Sequence, residues 1–220
     1  MNKRIGVCLS GCGVNDGSEI HESVITILSL DSHDLDIIYL APNINQPSVN
    51  NHLNGKNTDE ERNVLIESAR IARGDIQDIS EISSDDLDAI IFPGGFGAAL
   101  NLCDFGQKGS SATIQLDVFN IIRDMIENNK PIGVICIAPA MLACALRDMG
   151  LGAKLTIGND TDVADKIEQM GSTHIDCPVD DIVIDDEMKI ISTPAYMLAT
   201  RITEAAEGIK KLVNKIVEII

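Results

Sequence analysis

Tryptophan is missing from this chain, and only two tyrosines and four phenylalanines stand among its 220 residues. Proteins that stack bases on aromatic platforms need more such rings, so single-stranded nucleic acid is a poor partner. Positive charge is scarce too: 17 lysines and arginines face 34 aspartates and glutamates, a formal net charge of −17. Such a surface repels phosphate backbones and anionic lipid, which argues against nucleic acid and membranes as partners. No apolar run is long enough to span a bilayer. The opening "MNKRIGVCLSGCG" also lacks the longer apolar stretch and small-residue cleavage site of a secretory signal. A cytoplasmic location is therefore the expectation. Six cysteines are present, but a chain this long does not need disulfide staples. Cys-x-x-Cys never occurs, and Cys8 and Cys12 are not spaced as a zinc knuckle. No metal or other cofactor is expected.

What is there is a core-forming chain, 45% hydrophobic, in which strand and helix patterns alternate. "KRIGVCLS" reads as a buried strand, and "EIHESVITILSL" then places Ile20, Val24, Ile27 and Leu28 on one helical face. "LDIIYLAP" is a second strand stopped by Pro42; a polar loop with room for a short hairpin follows, then the helical "RNVLIESARIARG". "AIIFPGG" and "PIGVICI" are buried strands on either side of the amphipathic "TIQLDVFNIIRDMIENNK". "PAMLACALRDMG" is helical, "KLTIG" a further strand, "TDVADKIEQMG" a helix, and "DIVIDDEMKIIST" two strands around an acidic turn. "MLATRITEAAEGIKKLVNKIVEII" closes the chain as a long helix. Alternation of this kind predicts one α/β domain over residues 1–220, with a mainly parallel sheet and helices on both faces.

The turn "SGCGVNDGSEIHE" between the first strand and helix has the look of a phosphate loop. A dinucleotide fingerprint requires G-x-G-x-x-G, whereas Gly11, Gly13 and Gly17 are spaced one residue too far. The second strand ends in Tyr39-Leu40-Ala41 with no acid for a ribose, and no P-loop lysine is present. The glycines need another explanation.

The apolar strand "GVICI" runs into Cys136, and a helix opens within a few residues, close to Pro139. Parallel sheets bind ligands at the carboxyl ends of their strands, and a helix N-terminus there stabilises thiolate. A nucleophilic cysteine with a lowered pKa is one reading; a buried cysteine filling space is the commoner fate of the residue. "PGGFGAA" also ends a strand, and the N–H groups of Gly94 and Gly95 suit an oxyanion, although Pro-Gly-Gly is ordinary turn chemistry as well.

Taken together, "SGCGVNDGSEIHE", "RNVLIESARIARG", "IIFPGGFGAA", "ICIAPAML", "CPVDDIVIDD" and "IISTPAYMLA" resemble the DJ-one/PfpI superfamily, closest to its ElbB-type isoprenoid biosynthesis glyoxalase branch. The resemblance implies a flavodoxin-like, class I glutamine amidotransferase-like sandwich, and homodimers are common among such proteins. It also implies that Glu22 hydrogen-bonds the elbow cysteine, with Glu19 one turn earlier, so that the glycine turn aims a carboxyl group. Two features depart from the superfamily pattern. Ile137 stands where many members have a histidine after the nucleophile, and no His-x-Glu follows near the C-terminus, which disfavours glutamine hydrolysis. His21 is expected to point away from Glu22, because adjacent helical residues do not share a face; His52 is within the reach of a loop. The implied activity is a glutathione-independent glyoxalase turning glyoxal into glycolate, with early glycation adducts as adjacent substrates. Cys136 would attack, Glu22 would move protons, and the N–H groups of Gly95 and Ile137 would steady the oxygen. Two other functions fit the same residues: a redox sensor with Cys12 as resolving thiol, and a non-catalytic amidotransferase-like partner subunit. Cys103, Cys144 and Cys177 are expected to be structural.

Overall fold

The computed structural model describes residues 2–220. The first half of the chain contains β1 (Arg4–Cys8), α1 (Ile20–Asp31), β2 (Asp36–Ala41), β3 (Val49–Asn51), β4 (Lys56–Thr58), α2 (Val64–Ile71), β5 (Gln77–Asp78), β6 (Ala89–Phe92), α3 (Phe96–Leu100) and α4 (Phe105–Lys108). The second half contains α5 (Leu116–Glu127), β7 (Ile132–Ile135), α6 (Ala138–Asp148), β8 (Lys154–Leu155), α7 (Thr161–Gln169), β9 (Thr173–His174), β10 (Val183–Asp185), β11 (Ile190–Thr193) and α8 (Ile202–Ile219).

Seven strands form one sheet in the order β10-β11-β7-β6-β1-β2-β5. Every pairing in it is parallel except β10 with β11, a hairpin. Alternate residues of the central strands face opposite layers, as the two-residue period of a strand demands. Ile90, Phe92, Ile132 and Val134 pack with α5 and α6, while Ile5, Val7, Ala89 and Ile91 pack with α1 and α8. This is the α/β sandwich with helices on both faces that the strand–helix alternation predicts.

Three local departures bear on the site. First, most of the apolar stripe of α1 faces outward: Ile20, Val24 and Leu28 are 43%, 49% and 62% exposed, and Ile27 is half-buried. Inward stand Glu22, Ser23, Ile25, Thr26, Ser29 and Leu30. The hydroxyls of Ser23, Thr26 and Ser29 each donate to the carbonyl four residues back, at 2.7–2.8 Å. Their polar atoms are thereby satisfied inside the helix, and a hydroxyl-lined face can be buried without loss. Second, "KLTIG" does not join the main sheet. Lys154–Leu155 pairs with Thr173–His174, and the N–H groups of Lys154 and Thr156 donate to side chains, Asp185 Oδ2 and Ser192 Oγ, along the hairpin. Third, the closing helix begins at Ile202, five residues later than "MLATRI" suggests, because Ala195–Met197 forms a separate 3-10 turn.

Candidate functional site

Strand β7 ends at Ile135, and Cys136 turns the chain into α6 with a φ of +62°. A side chain in this left-handed region is held there by its surroundings and seldom adopts it alone. Cys136 N–H donates to Thr193 O of the neighbouring strand at 2.9 Å, and the residue is 7% exposed. Pro139 sits in the first turn of α6, where its missing N–H removes no helix bond. The N–H groups of Gly95 and Ile137 lie next to the Cys136 sulfur and favour its ionised form.

Glu22 comes to the same place from α1, whose buried residues share a core layer with Cys136. Glu19 caps α1, its Oε2 accepting from Glu22 N–H at 2.7 Å, which fixes the first helical turn. The Glu22 side chain is fully buried; Oε2 accepts from Gly94 N–H at 3.0 Å and Oε1 from Tyr196 N–H at 3.1 Å. Its carboxyl lies beside the Cys136 sulfur. Burial pushes the carboxyl up to about 8, against the pull of the two backbone donors. Burial, and then the Glu22 carboxyl, hold the thiol well above its ordinary value as well. The lowered thiol pKa expected from the helix N-terminus is therefore wrong for this elbow. Loss of water and a neighbouring acid outweigh the partial charge of a helix end.

Gly94 and Gly95 play different parts. Gly94 has an ordinary φ, but an added Cβ would run into Cys136 Cβ and Glu22 Oε2. Its N–H holds Glu22, while that of Gly95 lies next to the sulfur. The glycine turn after β1 is explained the same way. A Cβ on Gly17 would strike Cys12 N, and Gly97 packs as closely on Ser10. The N–H groups of its three glycines are already taken within the protein: Gly11 donates to Ser68 Oγ, Gly13 to Ser18 O and Gly17 to Gly13 O. With Asp16 buried in the same turn, nothing there welcomes a phosphate.

A cleft of about 330 Å³ opens onto the sulfur. Val14, Phe96, Ile137, Val163 and Met197 make its apolar wall, and Glu19, Asp160 and Tyr196 its polar groups. Burial and the carboxyls of Glu19 and Glu22 push the Tyr196 phenol up, keeping its hydroxyl protonated. Tyr196 and Met197 were not singled out from sequence. The signal was their position directly after β11, since the carboxyl ends of adjacent parallel strands share a crevice.

The other candidates lie outside the cleft lining. Cys12 faces a cluster of Glu67, Arg70, Asp16 and Arg62, and burial raises its thiol. It belongs to the α2 side and is not a neighbour of Cys136 in the cleft. His52 packs on Gly13; its Nε2 accepts from Asn15 N–H at 3.2 Å and lies 3.8 Å from Asp16. The ring pins the β3–β4 hairpin to the opening turn. His21 does leave Glu22's face, but its Nδ1 stands 2.8 Å from the Tyr196 hydroxyl. All six cysteines are free, and no group of three or more potential ligands among the described residues could hold a metal ion.

No family model matches the chain. It is 37% identical over 226 residues to the Homo sapiens protein named glutamine amidotransferase-like class 1 domain-containing protein 3, mitochondrial, covering 98% of this chain and 83% of that one. The Rattus norvegicus ES1 protein homolog, mitochondrial, is 35% identical, over 98% and 84% of the two chains. Both names point away from the cytoplasmic location expected from the sequence, and that expectation is withdrawn. Among solved structures, an Ehrlichia chaffeensis isoprenoid biosynthesis protein with an amidotransferase-like domain is 38% identical and superposes with a TM-score of 0.92 over 98% of each chain. Drosophila melanogaster DJ-1beta, at 18% identity, shares the fold with a TM-score of 0.56 over 99% of this chain and 95% of its own.

Proposed function

As the chain belongs to the family of glutamine amidotransferase-like class 1 domain proteins that includes ES1, within the DJ-one/PfpI superfamily, we propose that it is a glutathione-independent glyoxalase converting glyoxal to glycolate. The observation that carries this reading is the pairing of Cys136, which lines the cleft, with the buried Glu22 carboxyl behind it, and the Gly95 and Ile137 N–H groups next to the sulfur.

A thiol and a carboxyl group, with no histidine in the cleft lining to serve as base, suit an aldehyde carbonyl better than an amide. The Cys136 sulfur bonds to one carbonyl carbon, and the thiol proton passes by way of Glu22 to the carbonyl oxygen, giving a hemithioacetal. The N–H groups of Gly95 and Ile137 hold that oxygen while it carries charge. Ionised Glu22 then takes the C–H proton and delivers it to the neighbouring carbon. The hydroxyl proton moves across to the second oxygen. One carbon is oxidised and its neighbour reduced, leaving a glycolyl thioester and needing no outside oxidant. Water hydrolyses the thioester, which releases glycolate and restores the thiol.

The test is glycolate formation from glyoxal without glutathione, by wild type and Cys136→Ser. Saturable turnover by wild type and none by the variant is the expected result. Equal activity, or no activity in either, overturns the reading.

A further inference from the structure

Residues 194–197 hold a feature that the reaction above leaves unused. Ala195, fully buried, has a φ of +43°, a strained value for a residue with a side chain. The strain has a visible result. It turns Tyr196 back toward α1, so that its N–H reaches Glu22 Oε1 at 3.1 Å and its hydroxyl lies 2.8 Å from His21 Nδ1. The two rings are tilted at 46° with centroids 5.8 Å apart. One tyrosine thus touches the buried acid through its backbone, lines the Cys136 cleft, and is held at its hydroxyl by a histidine.

We propose that Tyr196 is a second carbonyl-binding residue of the cleft, positioned by His21, and that it selects substrates with a carbonyl oxygen on the carbon next to the one attacked by Cys136. His21 in its Nδ1–H form donates to the phenol oxygen, which leaves the hydroxyl hydrogen free for the ligand. A dicarbonyl then has both oxygens held: one by the N–H groups of Gly95 and Ile137, the other by Tyr196. Enolisation spreads charge onto the second oxygen, so a donor there acts on the step that moves the C–H proton. Tyr196 would be a catalytic residue, touching substrate, and His21 a positioning residue. The proposal rests on Cys136 being the reactive group of the cleft.

Two thiol reagents separate these claims. Iodoacetamide carries a carbonyl oxygen on the carbon adjacent to the one that bonds sulfur; methyl methanethiosulfonate has none. Rates are followed by mass on the Cys136 peptide, so thiol ionisation cancels in their ratio. Tyr196→Phe should slow iodoacetamide about 3- to 10-fold, the worth of one neutral hydrogen bond, and leave the thiosulfonate rate unchanged. His21→Ala should reproduce part of that loss, and His21→Asn, whose carboxamide reaches the Nδ1 position, should restore it. With glyoxal, Tyr196→Phe should lower kcat at least about 10-fold, as loss of an oxyanion donor does. Equal slowing of both reagents, or of neither, overturns the role of Tyr196. A shifted ratio in a protein that makes no glycolate sinks the glyoxalase reading and leaves Tyr196 standing. A Cys136 that reacts with neither reagent sinks both.

Discussion

At the scale of the residue, Glu22 concentrates the tension in this site. A fully buried carboxyl is stabilised by two backbone donors and opposed by the loss of water and by its neighbours, and its pKa settles near 8. The folded value lies above the unfolded value of 4.5. The folded chain therefore binds this proton more tightly, a contribution to stability that is complete below about 4.5 and lost as pH rises through about 8. Unfolding in urea should show stability falling by a few kcal/mol between weakly acidic and weakly alkaline pH. Glu22→Gln should flatten that slope. The amide must also turn its NH2 toward Gly94 or Tyr196 N–H, so the variant should be less stable at low pH by ~1–3 kcal/mol. A variant with the wild-type slope would remove Glu22 as its source. Cys136 could be found from sequence because an apolar strand, a cysteine and a first-turn proline mark a sharp turn locally. Tyr196 offered only its place directly after a strand, because its partners Glu22 and His21 are more than 170 positions away and nothing in "TPAYML" names them.

At the scale of the element, α1 shows how a helix can be read correctly and oriented wrongly. Its 3.6-residue period finds the helix, yet most of the stripe it marks faces solvent while hydroxyl residues face the sheet. Hydropathy treats serine and threonine as exposed; hydroxyls bonded to their own helix carbonyls are exempt from that rule. The consequence is measurable. Leu28→Ala, at a side chain 62% exposed, should change stability by no more than ~0.5 kcal/mol. Ile25→Ala, at 8% exposed, should cost ~2–5 kcal/mol. Equal losses would mean that the stripe is covered in solution. The same reasoning applies to "KLTIG", whose apolar alternation is that of a strand. There the backbone donors are taken by Asp185 and Ser192 side chains, a tertiary choice that no window of local sequence contains.

At the scale of the whole molecule, sheet order assembles the cleft. Strands β11, β7, β6 and β1 lie side by side, and each delivers one part at its carboxyl end. Tyr196 follows β11, Cys136 follows β7, Gly94 and Gly95 follow β6, and the glycine turn after β1 leads into Glu19 and Glu22. Strands distant in sequence must pair before any of these groups meet, so the parts were legible singly and their juxtaposition was not. The charge of the chain acts at this scale too. A net charge of −17 surrounds a cleft whose lining includes Glu19 and Asp160 and no lysine or arginine. Such a field leaves a neutral dicarbonyl alone, resists anionic ligands, and favours departure of an anionic product such as glycolate. Iodoacetate and iodoacetamide differ chiefly in charge. Relative to a small free thiol, iodoacetate should modify Cys136 at least about 10-fold more slowly than iodoacetamide at low salt. The gap should narrow as ionic strength rises and the screening length shrinks toward ~3 Å at 1 M. An iodoacetate rate that matches iodoacetamide at low salt, or a gap indifferent to salt, would show that the field does not reach the sulfur.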